Sequence, residues 1–233
     1  MGAFGEASRQ EFNGSAGCQD LLRQVGHLPA RAGGHIVDEA AARGHRVTSW
    51  SRSLPERQVE GVTYRTGSVT DEVTLAEAVQ GADVVILALS PRGPMAGEVE
   101  KVADALITRL TGTDTRLGVI GGAGSLQVAP GGPRLVDGDG FPDAFKAEAL
   151  ELTRVLTELR ASDDSLDWFF LSPAANFGAY NPGERTGHYR VGGDVLLTDE
   201  QGTSAISGED LAKAVVDEIE QPAHRRERFT VAY

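Results

Sequence analysis

The sequence predicts an α/β fold with one doubly wound, mainly parallel sheet and helices on both of its faces. Three observations carry this. From about residue 31 to residue 233, short β-like runs alternate with longer amphipathic ones, the alternation expected of consecutive β-α-β units. One of the β-like runs, Ala82 to Leu89 (ADVVILAL), is nearly all apolar, as in a strand buried on both faces. The β-like runs also end in small, polar or glycine residues, and ligands of open parallel sheets bind outside those carboxyl ends.

Residues 1–20 are rich in Gly, Ser and Ala without periodicity, so they are predicted to be a disordered or divergent segment. Residues 21–233 are predicted to form a single domain. Leu21 to Val25 reads as a weak strand. In RAGGHIVDEAAARGHRVTSWSR (Arg31 to Arg52), Ile36, Val37, Ala40 and Ala41 give a helix one apolar stripe, and Gly44 sits where a helix stops. Arg46 to Trp50 then turns β-like. Val62 to Arg65 is a short strand, followed by Gly67, Ser68 and a helix that Thr70 is placed to cap. After the apolar run that ends at Ser90-Pro91, Val99, Val102, Ala103, Leu106, Ile107 and Leu110 mark the next helix.

Leu117 to Ile120 is a strand that runs into Gly121-Gly122-Ala123-Gly124-Ser125. Residues 127–142 form a Gly/Pro-rich loop whose length points to a functional role. Phe145, Ala149, Leu152, Leu156 and Leu159 mark a long amphipathic helix, and Asp167 to Leu171 (DWFFL) a strand ending in Ser172-Pro173-Ala174. The polar stretch 176–197 holds strand-like Tyr189 to Val191 and Val195 to Leu197. Ser207 and Asp210 resemble a capping box ahead of a helix with Leu211, Ala214, Val215 and Ile219. Arg228 to Tyr233 is predicted to close the sheet.

Composition narrows the function. The net charge is −12 over 233 residues, which argues against a nucleic-acid surface because phosphate binding without a basic face is weak. No run is apolar and long enough for a membrane helix, and the start lacks the features of a secretion signal. A cytoplasmic protein is expected, and the single cysteine, Cys18, fits a reducing compartment. The five histidines are scattered without metal-ligand spacing, so no metal site is expected.

The stretch from Arg31 to Arg52 reads as part of a dinucleotide-binding unit, in which a helix starts under a pyrophosphate and the next strand ends beside a ribose. That makes the fold Rossmann-like. The turn before Arg31 is altered, because counting back from Gly33 places Ala30 and His27 where the first two glycines of the turn belong. A side chain there enters space that the tight turn and the pyrophosphate use. At the far end, no Asp or Glu lies between Val47 and Pro55, whereas Arg52 can pair with a 2′-phosphate. NADP is therefore favoured over NAD.

Ser125 follows the strand that faces the nicotinamide in this architecture, and its expected role is to hydrogen-bond the substrate or nicotinamide. The tyrosine-lysine pair that carbonyl-reducing dehydrogenases use is absent, since Ser68, Glu184 and Gly193 stand four residues after Tyr64, Tyr180 and Tyr189. Hydride delivery to a flavin or quinone escapes that requirement, because solvent can protonate the stabilised anion it produces.

Together RAGGHIVDEAAARGHRVTSWSR, ADVVILALSP, VIGGAGSLQVAPG, FPDAFKAEAL, DWFFLSPAANFGAYNPGERTGHYRVGGD and SAISGEDLAKAVVDEIEQPAHRRERFTVAY resemble the atypical short-chain dehydrogenase/reductase family. The nearest group is the NADH-flavin reductases, with NmrA-like proteins and biliverdin reductase B as broader relatives. The resemblance implies one Rossmann domain, a reduced nicotinamide cofactor and a small planar acceptor. It places the pyrophosphate at Arg31, Ala32 and Gly33, the adenosine phosphate at Ser51 and Arg52, and an adenine contact at Ser68, where relatives often carry Asp. The nicotinamide falls between Ala88, Leu89 and Ser90 on one side and Gly122 and Ser125 on the other, with Ser172, Pro173 and Ala174 also at the cofactor and Pro173, Ala174 and residues 176–190 over the acceptor. The function expected is an NADPH-dependent reductase of a flavin or similar acceptor. A non-catalytic, NmrA-like NADP sensor, or a folded remnant with impaired cofactor binding, is the alternative. The family's Gly-Ala-Thr-Gly is replaced by His27-Leu28-Pro29-Ala30, so residues 1–30 are expected to be out of frame or rearranged. An alternative reading frame in the coding DNA that restores the motif is the test.

Overall fold

The computed structural model describes residues 21–25 and 31–233, with side chains from residue 32 onward. The readings made above for residues 1–20 and for the turn at 26–30 lie outside the described residues. The strands are β1 (Leu21–Val25), β2 (Arg46–Ser51), β3 (Thr63–Thr66), β4 (Val84–Leu87), β5 (Arg116–Ile120), β6 (Trp168–Ser172), β7 (Arg190–Gly192) and β8 (Glu227–Ala232). The helices are α1 (Arg31–Ala42), α2 (Glu72–Val79), α3 (Val99–Leu110), α4 (Asp143–Ala161) and α5 (Gly208–Glu220).

All the strands join one sheet in the order β3-β2-β1-β4-β5-β6-β8-β7. Every pairing is parallel except β7 with β8. Strand order reverses between β1 and β4, the place where an open α/β sheet leaves a crevice. The register keeps the carboxyl ends level: Val25 pairs with both Trp50 and Leu87, Leu87 with Val119, and Val119 with Phe170. The segments that follow these residues therefore leave the sheet along one edge.

Alternation along the central strands divides the core in two. Val85, Leu87, Val119, Trp168 and Phe170 pack with Leu106, Leu156 and Leu159 under α3 and α4. Val84, Ile86, Phe169 and Leu171 face the other way, onto Ile36 and Val37 of α1 and Leu211 and Val215 of α5. Burying one such side chain contributes about 1.5–3 kcal/mol, so the apolar run of β4 is held from both faces, as its sequence predicts. The strand itself is shorter than that run, because Ala88 and Leu89 stay buried but leave the ladder for the cleft.

Four local expectations are corrected. The cap of α2 is Asp71, which accepts from the Thr74 backbone N–H at 2.9 Å, while the Thr70 hydroxyl turns to Ser68 at 2.7 Å. Asp outranks Thr at this position because its carboxylate is the stronger acceptor facing the helix dipole. Ser207 does cap α5 by accepting from the Asp210 N–H, but the Asp210 carboxylate does not reach back to close a capping box. It is occupied by other donors. Val195 to Leu197 forms no strand, only a bridge from Val195 to Gln127, since Gln127 holds Asp194 and Leu196 through its own N–H and carbonyl. Finally β8 is interior and β7 is the edge.

Between α3 and α4 lies a carboxyl pair with a measurable consequence. Burial, followed by the charges of Glu100 and Asp104, pushes Glu158 up to about 7. The folded chain thus holds a proton that the unfolded chain, at an ordinary carboxyl value near 4.5, has released. Stability from this group is present below about pH 4.5 and is lost as pH rises toward about 7. E158Q is expected to gain about 1 kcal/mol over the parent at about pH 8 and little at about pH 5, after discounting for partial exposure. Urea unfolding of both proteins at the two pH values checks it.

Among the described residues, no helix is long and apolar enough to cross a membrane.

Candidate functional site

Glycines open the edge where the strands end. A Cβ at Gly121 would lie 2.0 Å from Cζ of Phe170, and one at Gly124 would lie 2.6 Å from Cβ of Ala149 on α4. Side chains at these positions would drive the turn away from β6 and α4. With glycine, the turn after β5 stays low and a cleft of about 700 Å³ opens above it. Its floor is Ala88, Leu89 and Ser90 after β4 and Ile120 to Gly124 after β5. Its lining takes in Ala32 and Arg52 as well as Phe141, Phe145 and Leu152, and Met95 lines both the cleft and a small hollow that it shares with Arg52. The Gly/Pro-rich loop supplies Val128, Leu135, Gly138 and Gly140, which accounts for its length.

Helix α4 faces the cleft with Phe145, Glu148, Ala149 and Leu152. No tyrosine or lysine stands on that face. Ser90 donates to Glu148 at 2.9 Å, and Arg92 pairs with the second carboxylate oxygen while lying 4.9 Å over the Phe145 ring. One turn on, the buried Glu151 accepts from the backbone N–H groups of Gly97 (2.7 Å) and Val99 (2.8 Å). That carboxylate caps α3 and anchors the Met95 wall from α4.

The cover over the cleft is Pro173, Ala174, Ala175, Phe177 to Tyr180, and Pro182. The far end of this cover is pinned by Asp210, which accepts from the Thr186 N–H (2.7 Å), the Gly187 N–H (2.9 Å) and the Tyr233 hydroxyl (2.7 Å). Burial works to raise the Asp210 pKa, and these donors outweigh it, holding the carboxyl below its usual value. At its near end, Asn176 N–H donates to Ser204 O at 2.8 Å.

Of the residues predicted from sequence, Ala32, Arg52, Ala88, Leu89, Ser90, Gly122, Pro173 and Ala174 all line this cleft. Gly33 is buried at the start of α1 beside them; the side chain of Arg31 is outside the described residues. Ser51 and Ser68 line a small adjoining hollow with Arg52, Trp50, Gly67 and Leu89. Arg52 makes no ion pair or hydrogen bond among the described residues, in contrast to the many arginines paired elsewhere. Ser125 and Ser172 do not line the cleft. The short turn Ala123–Ser125 points the Ser125 hydroxyl inward, and both serines are buried against the Arg228 guanidinium, 3.4 Å and 3.2 Å from Nη1.

Arg228 is itself held by Asp194. Burial lowers the Arg228 pKa despite that carboxylate, and the pair to Arg228 and Arg160 outweighs burial at Asp194 and lowers its own. The serines thus belong to the support beneath the turn rather than to its open face.

Sequence reading missed Glu148, Arg92, Phe145, His35 and Gly208 as cleft residues. Glu148 carried a signal: it lies in phase with Phe145 and Leu152 on the apolar stripe of α4, and a carboxylate on such a stripe needs a local reason. Gly208 did not, because only the fold brings His35 so near that a Cβ on Gly208 would meet its Cδ2 at 2.4 Å. Among the described residues no group of His, Cys, Asp and Glu could hold a metal ion.

Comparison with known proteins agrees with this geometry. A family model described as NAD(P)H-binding matches residues 30–222. Over 203 residues the chain is 39% identical to YwnB, an uncharacterized protein of Bacillus subtilis, covering 86% of this chain and 93% of that protein. Among solved structures, a "putative NADH-flavin reductase" of Streptococcus pneumoniae is 35% identical, with a TM-score of 0.81 over 91% of this chain and 99% of that one. A "putative exported protein" of Burkholderia pseudomallei is 43% identical, with a TM-score of 0.75 over 91% of this chain and 100% of that one.

Proposed function

The chain belongs to the NAD(P)H-binding family, and on that premise we propose that it is an NADPH-dependent reductase that passes hydride to a flavin or a similar planar acceptor. The carrying observation is the cleft itself, whose lining joins Arg52 after β2, unpartnered among the described residues, to the apolar side chains of Phe177 and Phe145.

The residues present suit a dinucleotide. Ala32 and Gly33 leave little bulk at the start of α1, Gly121 and Gly122 keep the floor low, and Arg52 has its guanidinium free for a 2′-phosphate. A reduced nicotinamide, when bound, supplies the hydride. The chain contributes orientation: Ala88 to Ser90 and Gly122 fix one ring from below, and Pro173, Ala174 and Phe177 exclude water from above. Orientation of this kind carries much of a barrier when the acceptor is already electrophilic. The α4 face lacks a tyrosine-lysine pair, which favours an acceptor whose reduced anion solvent protonates. A chain with one cysteine also suits the cytoplasmic setting proposed for it.

The test is oxidation of NADPH, followed by its absorbance, with riboflavin or menadione as acceptor. R52A is expected to raise the KM for NADPH by about 10- to 100-fold, the worth of a charge-assisted pair of roughly 1.5–3 kcal/mol, while NADH turnover changes little. Equal effects on both cofactors would remove Arg52 from the phosphate site. Cofactor binding without oxidation in the presence of any acceptor would instead favour the NADP-sensing reading.

A further inference from the structure

Glu148 is the one carboxylate among the described residues lining the cleft, and it stands on the α4 face with Phe145, Ala149 and Leu152. Its side chain is only 18% exposed, and both its oxygens are committed, one to the Ser90 hydroxyl and one to Arg92. On α4 it stands between Phe145 and Leu152, and Phe141 and Phe177 share the cleft lining with it. Among the described residues, the permanently charged cations of the lining are Arg52 and Arg92. Arg52 follows β2, which lies beyond β1 from β4, about 10 Å across the sheet. Arg92 is 60% exposed at the rim, neutralised by Glu148 and laid over Phe145.

An acceptor with a phosphate tail would need a cation on this face of the cleft. Arg92 meets Glu148 through Nε, so a phosphate drawn to its Nη groups would stand beside the Glu148 carboxylate, a like charge in an apolar wall. Such juxtapositions discriminate by repulsion rather than by lost contact. An uncharged ring system meets no such cost, because Glu148 and Arg92 remain paired while the rings occupy the chamber.

Resting on the reductase reading, we propose that Glu148 is a specificity-determining residue that selects uncharged planar acceptors and turns away phosphorylated ones. It does so by holding Arg92 and by keeping its own negative charge at the chamber wall. Ser90 positions the carboxylate from below.

Riboflavin and FMN differ only in a phosphate, so they are the probes. Their binding is read by quenching of flavin fluorescence with NADP⁺ at saturation, which occupies the Arg52 end. The parent is expected to bind riboflavin about tenfold or more tightly than FMN. E148Q, which keeps the shape and can still accept from Ser90, is expected to shift the FMN-to-riboflavin affinity ratio about tenfold toward FMN. R92A placed on E148Q should cancel that shift, since the freed guanidinium is the new phosphate partner. Equal binding of the two flavins by the parent, binding of neither, or an unchanged ratio in E148Q overturns the proposal. Binding selectivity without NADPH oxidation would leave charge selection standing and remove the reductase reading, whereas efficient oxidation with FMN would do the reverse.

Discussion

Replacing His27, Leu28, Pro29 and Ala30 together by Gly, Ala, Thr and Gly is expected to tighten NADPH binding by about 10- to 100-fold. In a dinucleotide fold the turn between the first strand and first helix presents backbone N–H groups to the pyrophosphate, and the helix start adds a favourable dipole. Proline has no N–H to offer, and in such a turn a side chain at either of the first two glycine positions would take space that the phosphates need. Restoring one hydrogen bond to a charged group recovers roughly 1.5–3 kcal/mol, which sets the scale of the expected change. The substituted stretch lies between β1 and α1, whose ends at Val25 and Arg31 border the switch point of strand order. Titration calorimetry of both proteins with NADPH measures it. An unchanged affinity would show that the cofactor does not use this turn.

The second large effect is expected at the cleft floor. G121V should lower stability by about 3 kcal/mol, at the upper end of overpacking penalties, and the melting temperature by roughly 6–12 °C for a chain of this size. The Cβ would sit 2.0 Å from the Phe170 ring, which is fully buried. The backbone cannot retreat without cost, because the Gly121 N–H donates to Leu171 O at 2.8 Å. G140A provides the contrast, since nothing lies within 4 Å of a Cβ there, and it should leave the melting temperature where it is. A thermal unfolding scan decides between them; a G121V protein that melts with the parent would refute the packing argument.

Much of this architecture was legible because the alternation of apolar runs is strong where strands are buried on both faces. ADVVILAL and DWFFL identify β4 and β6 without help, and the stripe through Val99 and Leu106 identifies α3. The arrangement of the C-terminal strands was not legible. Nothing in Arg190-Val191-Gly192 says that it pairs antiparallel outside β8, because edge position is a property of the whole sheet. Weak Leu21–Val25 still takes the central place, where neighbours on both sides supply what its own pattern lacks. At the cleft, the backbone-lined floor was legible because strand ends follow from the strands. The side-chain wall was harder: Ser125 stands at the predicted place in the chain, yet its hydroxyl turns toward Arg228, and a guanidinium 103 residues away leaves no local trace. Glu148 and Glu151 were readable in part, as acids on the buried side of α4.

The insertion of β8 between β6 and β7 bears on how the chain is made. Synthesis runs from the amino end, so β6 and its companions emerge while the residues that pair with β6's outer edge have yet to be translated. Until Glu227–Ala232 is available, that edge exposes the backbone of WFFLS, a segment whose every residue ends up buried. An open, apolar edge of this kind is what strays into pairing with other chains. The nascent protein therefore depends on β8 for protection of that edge from self-association, and slowing translation ahead of codon 227 should lower the soluble yield more than the same delay placed before α3.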